Sequence, residues 1–416
     1  MTFYKETDFQ VTSMGRIPRD WEVAELGDSS IVEIILGQSP PSSTYNTQDK
    51  GLPFLQGKME FGYIYPKPTS FCSEPAKIAE PNDILLSVRA PVGAVNIAQK
   101  RYCIGRGLSA IRAKREKLSH LFLFYYLCYA EKRFSSISMG STFKAIRKDE
   151  IEKFSITLPR LQEQKVIAEV LSCVDLAVQK TDEVIAKTQR LKKGLMQQLL
   201  TKGIGHREFE EYPKLGNLPE EWEIEKIGNF CSVVTGGTPS TKHPEYFNGD
   251  IKWLKSGDIK GLYIYDTEQK ITQLGLENSN AKIHPENSVV IALSGRGQTR
   301  GRTAVTKMPM ACSQSVAFMI PNEEIVPEYL HYNLSNRYME IRYLTGDLDR
   351  SGLNLSMVSN IKVPIPKLGE QRQIVSILAS IDEKLELERK EKTKLERIKL
   401  ELMDLLLTGK IRVRLD

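Results

Sequence analysis

Two stretches of the chain carry hydrophobic residues at helical spacing with nothing to break them. From Gln162 to Thr201 there is no proline, and glycine occurs only at Gly194, while Glu370 to Thr408 contains neither residue. Each stretch therefore predicts one long helix. In the first, Val170, Val174, Ala177, Thr181, Val184, Thr188, Leu191 and Leu195 follow alternating steps of three and four, and Ile167, Leu171, Val178 and Ile185 widen the stripe. In the second, Ile374, Ile377, Ile381, Leu385, Leu395, Ile398, Leu402 and Leu405 are spaced similarly, with a gap between Leu385 and Leu395, among dense Glu, Lys and Arg. Such stripes need a partner. A helix of about 38 residues extends about 57 Å at 1.5 Å per residue, beyond the face of one small domain. The two helices are accordingly expected to pack on each other as an antiparallel coiled-coil spacer; the plainer alternative is that each packs on its own globular module.

Ahead of each helical stretch lies a Pro-, Gly- and aromatic-rich segment of short β-like runs. Ile84-Leu85-Leu86-Ser87-Val88 and Ser288-Val289-Val290-Ile291-Ala292 read as buried strands, preceded by the turn formers Pro81-Asn82 and Pro285-Glu286-Asn287. The order is the same because the sequence is duplicated. Gly15-Arg16-Ile17-Pro18-Arg19-Asp20-Trp21-Glu22-Val23 recurs as Gly216-Asn217-Leu218-Pro219-Glu220-Glu221-Trp222-Glu223-Ile224, an offset of 201. Leu158-Pro159-Arg160-Leu161-Gln162-Glu163-Gln164 recurs as Ile365-Pro366-Lys367-Leu368-Gly369-Glu370-Gln371, and Leu199-Leu200-Thr201 as Leu406-Leu407-Thr408, both at an offset of 207. The expected organisation is a mixed α/β module over 12–159, a long helix over 160–201, a linker over 202–212, a second module over 213–366, a second helix over 367–408 and a tail over 409–416. A chain of 416 residues with 41% hydrophobic content has room for a core in each module.

Charge changes this picture through its distribution. The net charge of +6 is modest. Between Ile84 and Leu118, however, Arg89, Lys100, Arg101, Arg106, Arg112, Lys114, Arg115 and Lys117 face one acid, Glu116, and between Ser294 and Ile320 lie Arg296, Arg300, Arg302 and Lys307 with no Asp or Glu. Two basic runs at matching places in a repeat point to an anionic partner. The six cysteines form no CxxC pair and the histidines lie far from them in sequence, so no metal site is expected. With no apolar leader and no apolar run long enough to span a bilayer, the chain is expected in the cytoplasm, away from membranes.

Gly236-Gly237-Thr238-Pro239-Ser240, followed by Tyr246-Phe247-Asn248-Gly249-Asp250-Ile251-Lys252-Trp253 and Ser256-Gly257-Asp258-Ile259, resembles the target-recognition signature of type I restriction-modification DNA-specificity subunits. The first half has a looser form, Gly37-Gln38-Ser39-Pro40-Pro41-Ser42 and Leu52-Pro53-Phe54-Leu55-Gln56-Gly57, with Phe54 in place of Trp253 and no Asp of Gly-Asp-Ile. The two helix entries are also similar to the family's. The resemblance covers almost the whole chain. It implies an α+β architecture of two target-recognition modules with pseudo-two-fold symmetry, binding double-stranded DNA at a bipartite, asymmetric site. It further implies two modification (methyltransferase) subunits and motor-nuclease restriction subunits as partners; S-adenosylmethionine, ATP and Mg would belong to those partners, and no cofactor to this chain.

Independent catalysis finds no support in the residues. Ser39-Pro40-Pro41-Ser42 lacks the amide and aromatic of an amino-methyltransferase motif, and Gly295-Arg296-Gly297 lacks the glycine and helix start of a nucleotide loop. A self-sufficient methyltransferase and a protein-binding coiled-coil adaptor are the competing readings, opposed by the missing cofactor motifs and by the paired basic runs respectively. Within the modules the candidate DNA contacts are Arg89, Arg101 and Arg106 in the first, and Arg296, Gln298, Arg300, Arg302 and Gln314 in the second. Arg106 and Gln314 occupy matching places, in Gly105-Arg106-Gly107-Leu108-Ser109 and Ser313-Gln314-Ser315-Val316-Ala317.

Overall fold

A computed structural model describes residues 2–139, 145–295, 297–346 and 352–414. The helices that organise it are α1 (His120–Tyr129), α2 (Leu161–Leu199), α3 (Pro327–Asn336) and α4 (Leu368–Leu407). The unbroken helical spacing thus produces two helices of 39 and 40 residues. The chain forms two compact units, residues 1–183 with 389–416, and residues 184–388.

Unit 1 contains two sheets, the first antiparallel and the second mixed. One sheet runs in the order Val95–Ile97, Ile84–Ser87, Leu108–Ala113, Val32–Leu36; the other runs Tyr45–Asn46, Ser70–Cys72, Leu52–Leu55, Tyr102–Ile104, Ile78–Ala79. The apolar run at Ile84 is the centre of its sheet, with Ile84, Leu85 and Leu86 inaccessible to solvent. Leu52–Leu55 and Tyr102–Ile104 are parallel, Phe54 lying opposite Cys103. The antiparallel strand pair Thr2–Lys5 and Ile411–Arg414 joins the two ends of the chain within this unit.

Unit 2 repeats the plan. Cys231–Thr235, Val316–Pro321, Val289–Ala292, Thr303–Thr306 and Tyr263–Ile264 form one sheet, and Lys270–Ile271, Phe247–Leu254, Met310–Cys312 and Ile283–His284 the other. Phe247–Leu254 runs parallel to Met310–Cys312 with Trp253 opposite Ala311, so Trp253 holds the position of Phe54.

In each unit a segment of α2 packs antiparallel to a segment of α4. Asp175 and Asp182 of α2 pair with Lys399 and Lys392 of α4 in unit 1, and Lys192 of α2 pairs with Asp382 of α4 in unit 2. The first and last pairs are one interaction duplicated, since Asp175 and Asp382, like Lys192 and Lys399, stand 207 positions apart. A carboxylate on an apolar helix face is costly unless several donors meet it. Asp175, 1% exposed, receives the hydroxyls of Tyr63 and Tyr125 at 2.8 Å each and the Lys399 ammonium at 2.6 Å. Asp382, 24% exposed, receives Lys192 and the Tyr332 hydroxyl.

The helix entries are fixed by a second duplicated device. The Gln164 side chain accepts the Ser119 N–H and donates to the Lys117 and Pro159 carbonyls. Gln371 does the same for Val326, Glu324 and Pro366. Trp21 and Trp222 donate their indole N–H groups to Glu163 and Glu370. Around Glu163 the units differ: Arg412 clamps it together with Asp20 and Glu6, whereas Glu370 takes His206. These contacts seal an apolar core in each unit, with α1 buried in the first and α3 in the second.

Candidate nucleic-acid interface

The two units share a matching turn that crosses between their two sheets. In unit 1 it links Tyr102–Ile104 to Leu108–Ala113 and exposes Arg106; in unit 2 it links Met310–Cys312 to Val316–Pro321 and exposes Gln314. The backbone is built alike. Gly105 N–H donates to the Leu55 carbonyl and Leu108 N–H to the Gly105 carbonyl; Ser313 donates to Leu254, and Val316 to Ser313. A glycine crosses each turn at close range. A Cβ on Gly37 would lie 2.2 Å from the Gly105 carbonyl oxygen, and one on Gly236 would lie 2.0 Å from that of Cys312. No side chain fits there, which gives the first Gly of each recognition signature a steric reason.

The rest of the signature in unit 2 fixes the loop facing Gln314. Buried Trp253 donates its indole N–H to the Gly237 carbonyl at 3.0 Å, and the next residue, Thr238, donates its hydroxyl to Gln314 Oε1. Asp258 accepts the Lys255 N–H at 2.9 Å, while the Lys255 ammonium lies 4.8 Å from the centre of the Trp253 ring. The resulting open groove, of about 780 Å³, is lined by residues including Thr238, Lys255, Asp258, Gln269 and Gln314.

Unit 1 meets the same requirements with other residues. The Phe54 side chain has no N–H to donate; Tyr45, its ring tilted with its centre 4.6 Å from that of Phe54, instead donates its hydroxyl to the Pro40 carbonyl, two residues further along the same loop, at 2.9 Å. Ser39 Oγ accepts the Arg106 N–H at 3.3 Å, and Glu60 takes the part of Asp258 by accepting the Gly57 N–H. Glu60 thus makes in the first signature the backbone contact that the Asp of Gly-Asp-Ile makes in the second.

The other candidate contacts are distributed unevenly. Arg89 is exposed, whereas Arg101 is paired with Glu80 at 3.2 Å. Gln298 is exposed and its carbonyl accepts the Tyr338 hydroxyl; Arg302 is half-buried. Arg300 is 5% exposed, which removes its guanidinium from the surface and corrects its reading as a surface contact. Arg296 lies outside the described residues. The basic runs are also less basic than they read. Arg112 is held by Asp83 and Glu33, and Lys307 by Glu328 at 2.8 Å, all acids from outside the runs. Thr238, Lys255, Ser39 and Tyr45 were not singled out as contacts or supports from sequence, although the first three lie in or beside the signatures.

Burial pushes the Cys231 and Cys312 thiols up to about 12, so neither is a nucleophile near neutrality. Among the described residues no group of three or more His, Cys, Asp or Glu is placed to hold a metal, and no helix is long and apolar enough to cross a membrane.

A duplicated α/β scaffold that offers a different polar side chain from the same turn in each unit defines a recognition protein built by repetition. The chain belongs to the family described as the type I restriction modification DNA specificity domain, which matches residues 18–187 and 219–397. It is a specificity subunit of that kind and not an enzyme. The type I restriction enzyme MjaVIII specificity subunit of Methanocaldococcus jannaschii is 29% identical over 424 residues, covering 100% of this chain and 98% of that one. The putative MjaX specificity subunit of the same organism is 46% identical over 198 residues, 48% of this chain and 47% of that relative. The crystal structure of a type I restriction-modification S subunit from M. genitalium shares the fold, with a TM-score of 0.62 at 18% identity over 95% of this chain and 97% of that one.

Proposed function

We propose that this chain reads double-stranded DNA as two unlike half-sites, one per unit, with α2 and α4 as the spacer, and so directs adenine methylation or restriction by partner subunits. The observation that carries the reading is the pair of equivalently built turns bearing Arg106 and Gln314. A common backbone gives both units the same approach to a duplex, and different side chains give them different base preferences. Exposed Arg89, Gln298 and half-buried Arg302 supply further polar contacts in this reading. The chemistry belongs to the partners: two modification subunits with S-adenosylmethionine, and motor-nuclease subunits with ATP and Mg.

The test is methylation of a plasmid library, randomised over two half-sites and the gap between them, by this chain assembled with its modification subunits. The expected product is one bipartite motif. Replacing residues 12–159 by the corresponding module of another family member should change one half-site and leave the other. Methylation without sequence preference, or a swap that alters both half-sites, would overturn the proposal.

A further inference from the structure

We propose that the side chain at the crown of each crossing turn selects a purine in its half-site, Arg106 a guanine and Gln314 an adenine. This rests on the DNA-reading function proposed above and adds the bases chosen and the residues that choose them.

The first step is positional. The matched hydrogen bonds of the turns at 105–108 and 313–316, with Gly37 and Gly236 packed against them, start both side chains from the same place in their units. Both residues are exposed. A difference in what they recognise then falls to the side-chain head.

The second step is chemical. In unit 2 the Thr238 hydroxyl donates to Gln314 Oε1, and Thr238 is itself placed by the bond from Trp253 to the Gly237 carbonyl. An amide oxygen has two lone pairs, so one is occupied by Thr238 and one remains, beside two Nε2 hydrogens. That remaining acceptor and donor match adenine in the major groove, where N6–H donates and N7 accepts. Guanine presents two acceptors, O6 and N7, and would leave the amide oxygen facing an oxygen. Thr238 is a positioning residue, because it fixes which edge of the amide points outward.

In unit 1 the equivalent oxygen, Ser39 Oγ, takes the Arg106 backbone N–H and leaves the guanidinium alone. Among the described residues no carboxylate pairs with that guanidinium, in contrast to Arg101 and Arg112 nearby. A planar fork of donors with no acceptor fits the O6 and N7 acceptors of guanine and clashes with the N6 amino group of adenine.

The experiment is the reciprocal exchange, Arg106→Gln and Gln314→Arg, each in the full chain assembled with its modification subunits. Base preference is read by methylation of a library with both half-sites randomised at the native gap. Arg106→Gln should convert one guanine of one half-site toward adenine, and Gln314→Arg one adenine of the other toward guanine. Each change should shift preference by about tenfold or more, within the range of about 5- to 150-fold for one bidentate base contact. Thr238→Val should relax discrimination at the Gln314 position and leave every other position unchanged, a readout that loss of folding would not give. An equal loss of binding to all sequences with a shallower salt dependence would make these residues phosphate contacts and overturn the proposal, as would unchanged preferences. In both cases the wild-type complex still yields two half-sites, so the broader function stands; a wild type without any sequence preference would remove both.

Discussion

Replacing Asp175 with alanine tests how the helices are held, and the duplicated Asp382 supplies the control. Asp175 is buried and meets three donors, Tyr63, Tyr125 and Lys399. Its removal leaves the Lys399 ammonium, 18% exposed, and the Tyr63 hydroxyl without this acceptor, while the Tyr125 hydroxyl keeps Ser172 Oγ. Breaking a buried pair by deleting one partner costs about 3–5 kcal/mol, mostly through the charge left behind. At Asp382 two donors are lost from a carboxylate that water already reaches, and a hydrogen bond to a charged group is worth about 1.5–3 kcal/mol. Taking about 4 and about 2 kcal/mol, and about 3 °C of Tm per kcal/mol for a unit of this size, Asp175→Ala should lower the transition of unit 1 by about 12 °C. Asp382→Ala should lower that of unit 2 by about 6 °C. The assay is calorimetry of the two single variants beside the wild type. A further variant, Asp175→Leu with Lys399→Leu, removes both charges and should recover most of the loss. An effect of Asp382→Ala equal to or larger than that of Asp175→Ala, or a double variant no better than the single one, would refute the argument from burial.

His331 supplies a pH dependence: it is buried beside Thr303, with Lys192 and Glu328 acting on it at longer range, and burial holds its imidazole down to about 3. The unfolded chain protonates near pH 6.5 and the folded one does not, so this group's stabilisation is present above pH 6.5 and is lost as pH falls toward 3, by about 2 kcal/mol at pH 5. His331→Phe, the residue found at the matching position Phe124, should flatten the urea-unfolding stability of unit 2 between pH 7 and 5; an unchanged slope would rule out this source. Gly236→Ala places a methyl 2.0 Å from the Cys312 carbonyl oxygen and should cost about 1–3 kcal/mol while degrading one half-site in methylation assays; equal damage to both half-sites would contradict it. Arg412→Met strips the cation from Glu163, which is 1% exposed, and should cost about 3–5 kcal/mol in urea unfolding, with Glu163→Gln restoring part of it; a loss under about 1 kcal/mol would mean the cluster contributes little.

Much of the architecture is written locally. The helices α2 and α4 were legible because an apolar stripe at 3.6-residue period without proline has one regular solution, and the strands at Ile84 and Val289 because short apolar runs between turn formers bury on both faces. The duplication by itself aligns Arg106 with Gln314. Partnership was not legible, because it joins residues that sequence keeps apart. A count of charge along a window cannot see that Asp83 holds Arg112 or that Glu328 holds Lys307, nor that Arg300 is buried, and so it exaggerated both basic runs. The loss of Trp253's counterpart looked like a degraded signature in the first half. Tertiary structure shows that Tyr45, lying against Phe54, ties down the same loop through a different carbonyl, that of Pro40. Periodicity acts through neighbours along the chain and is carried by the sequence itself, whereas ion pairing and hydrogen-bond replacement depend on distances of a few ångströms that exist only once the chain is folded.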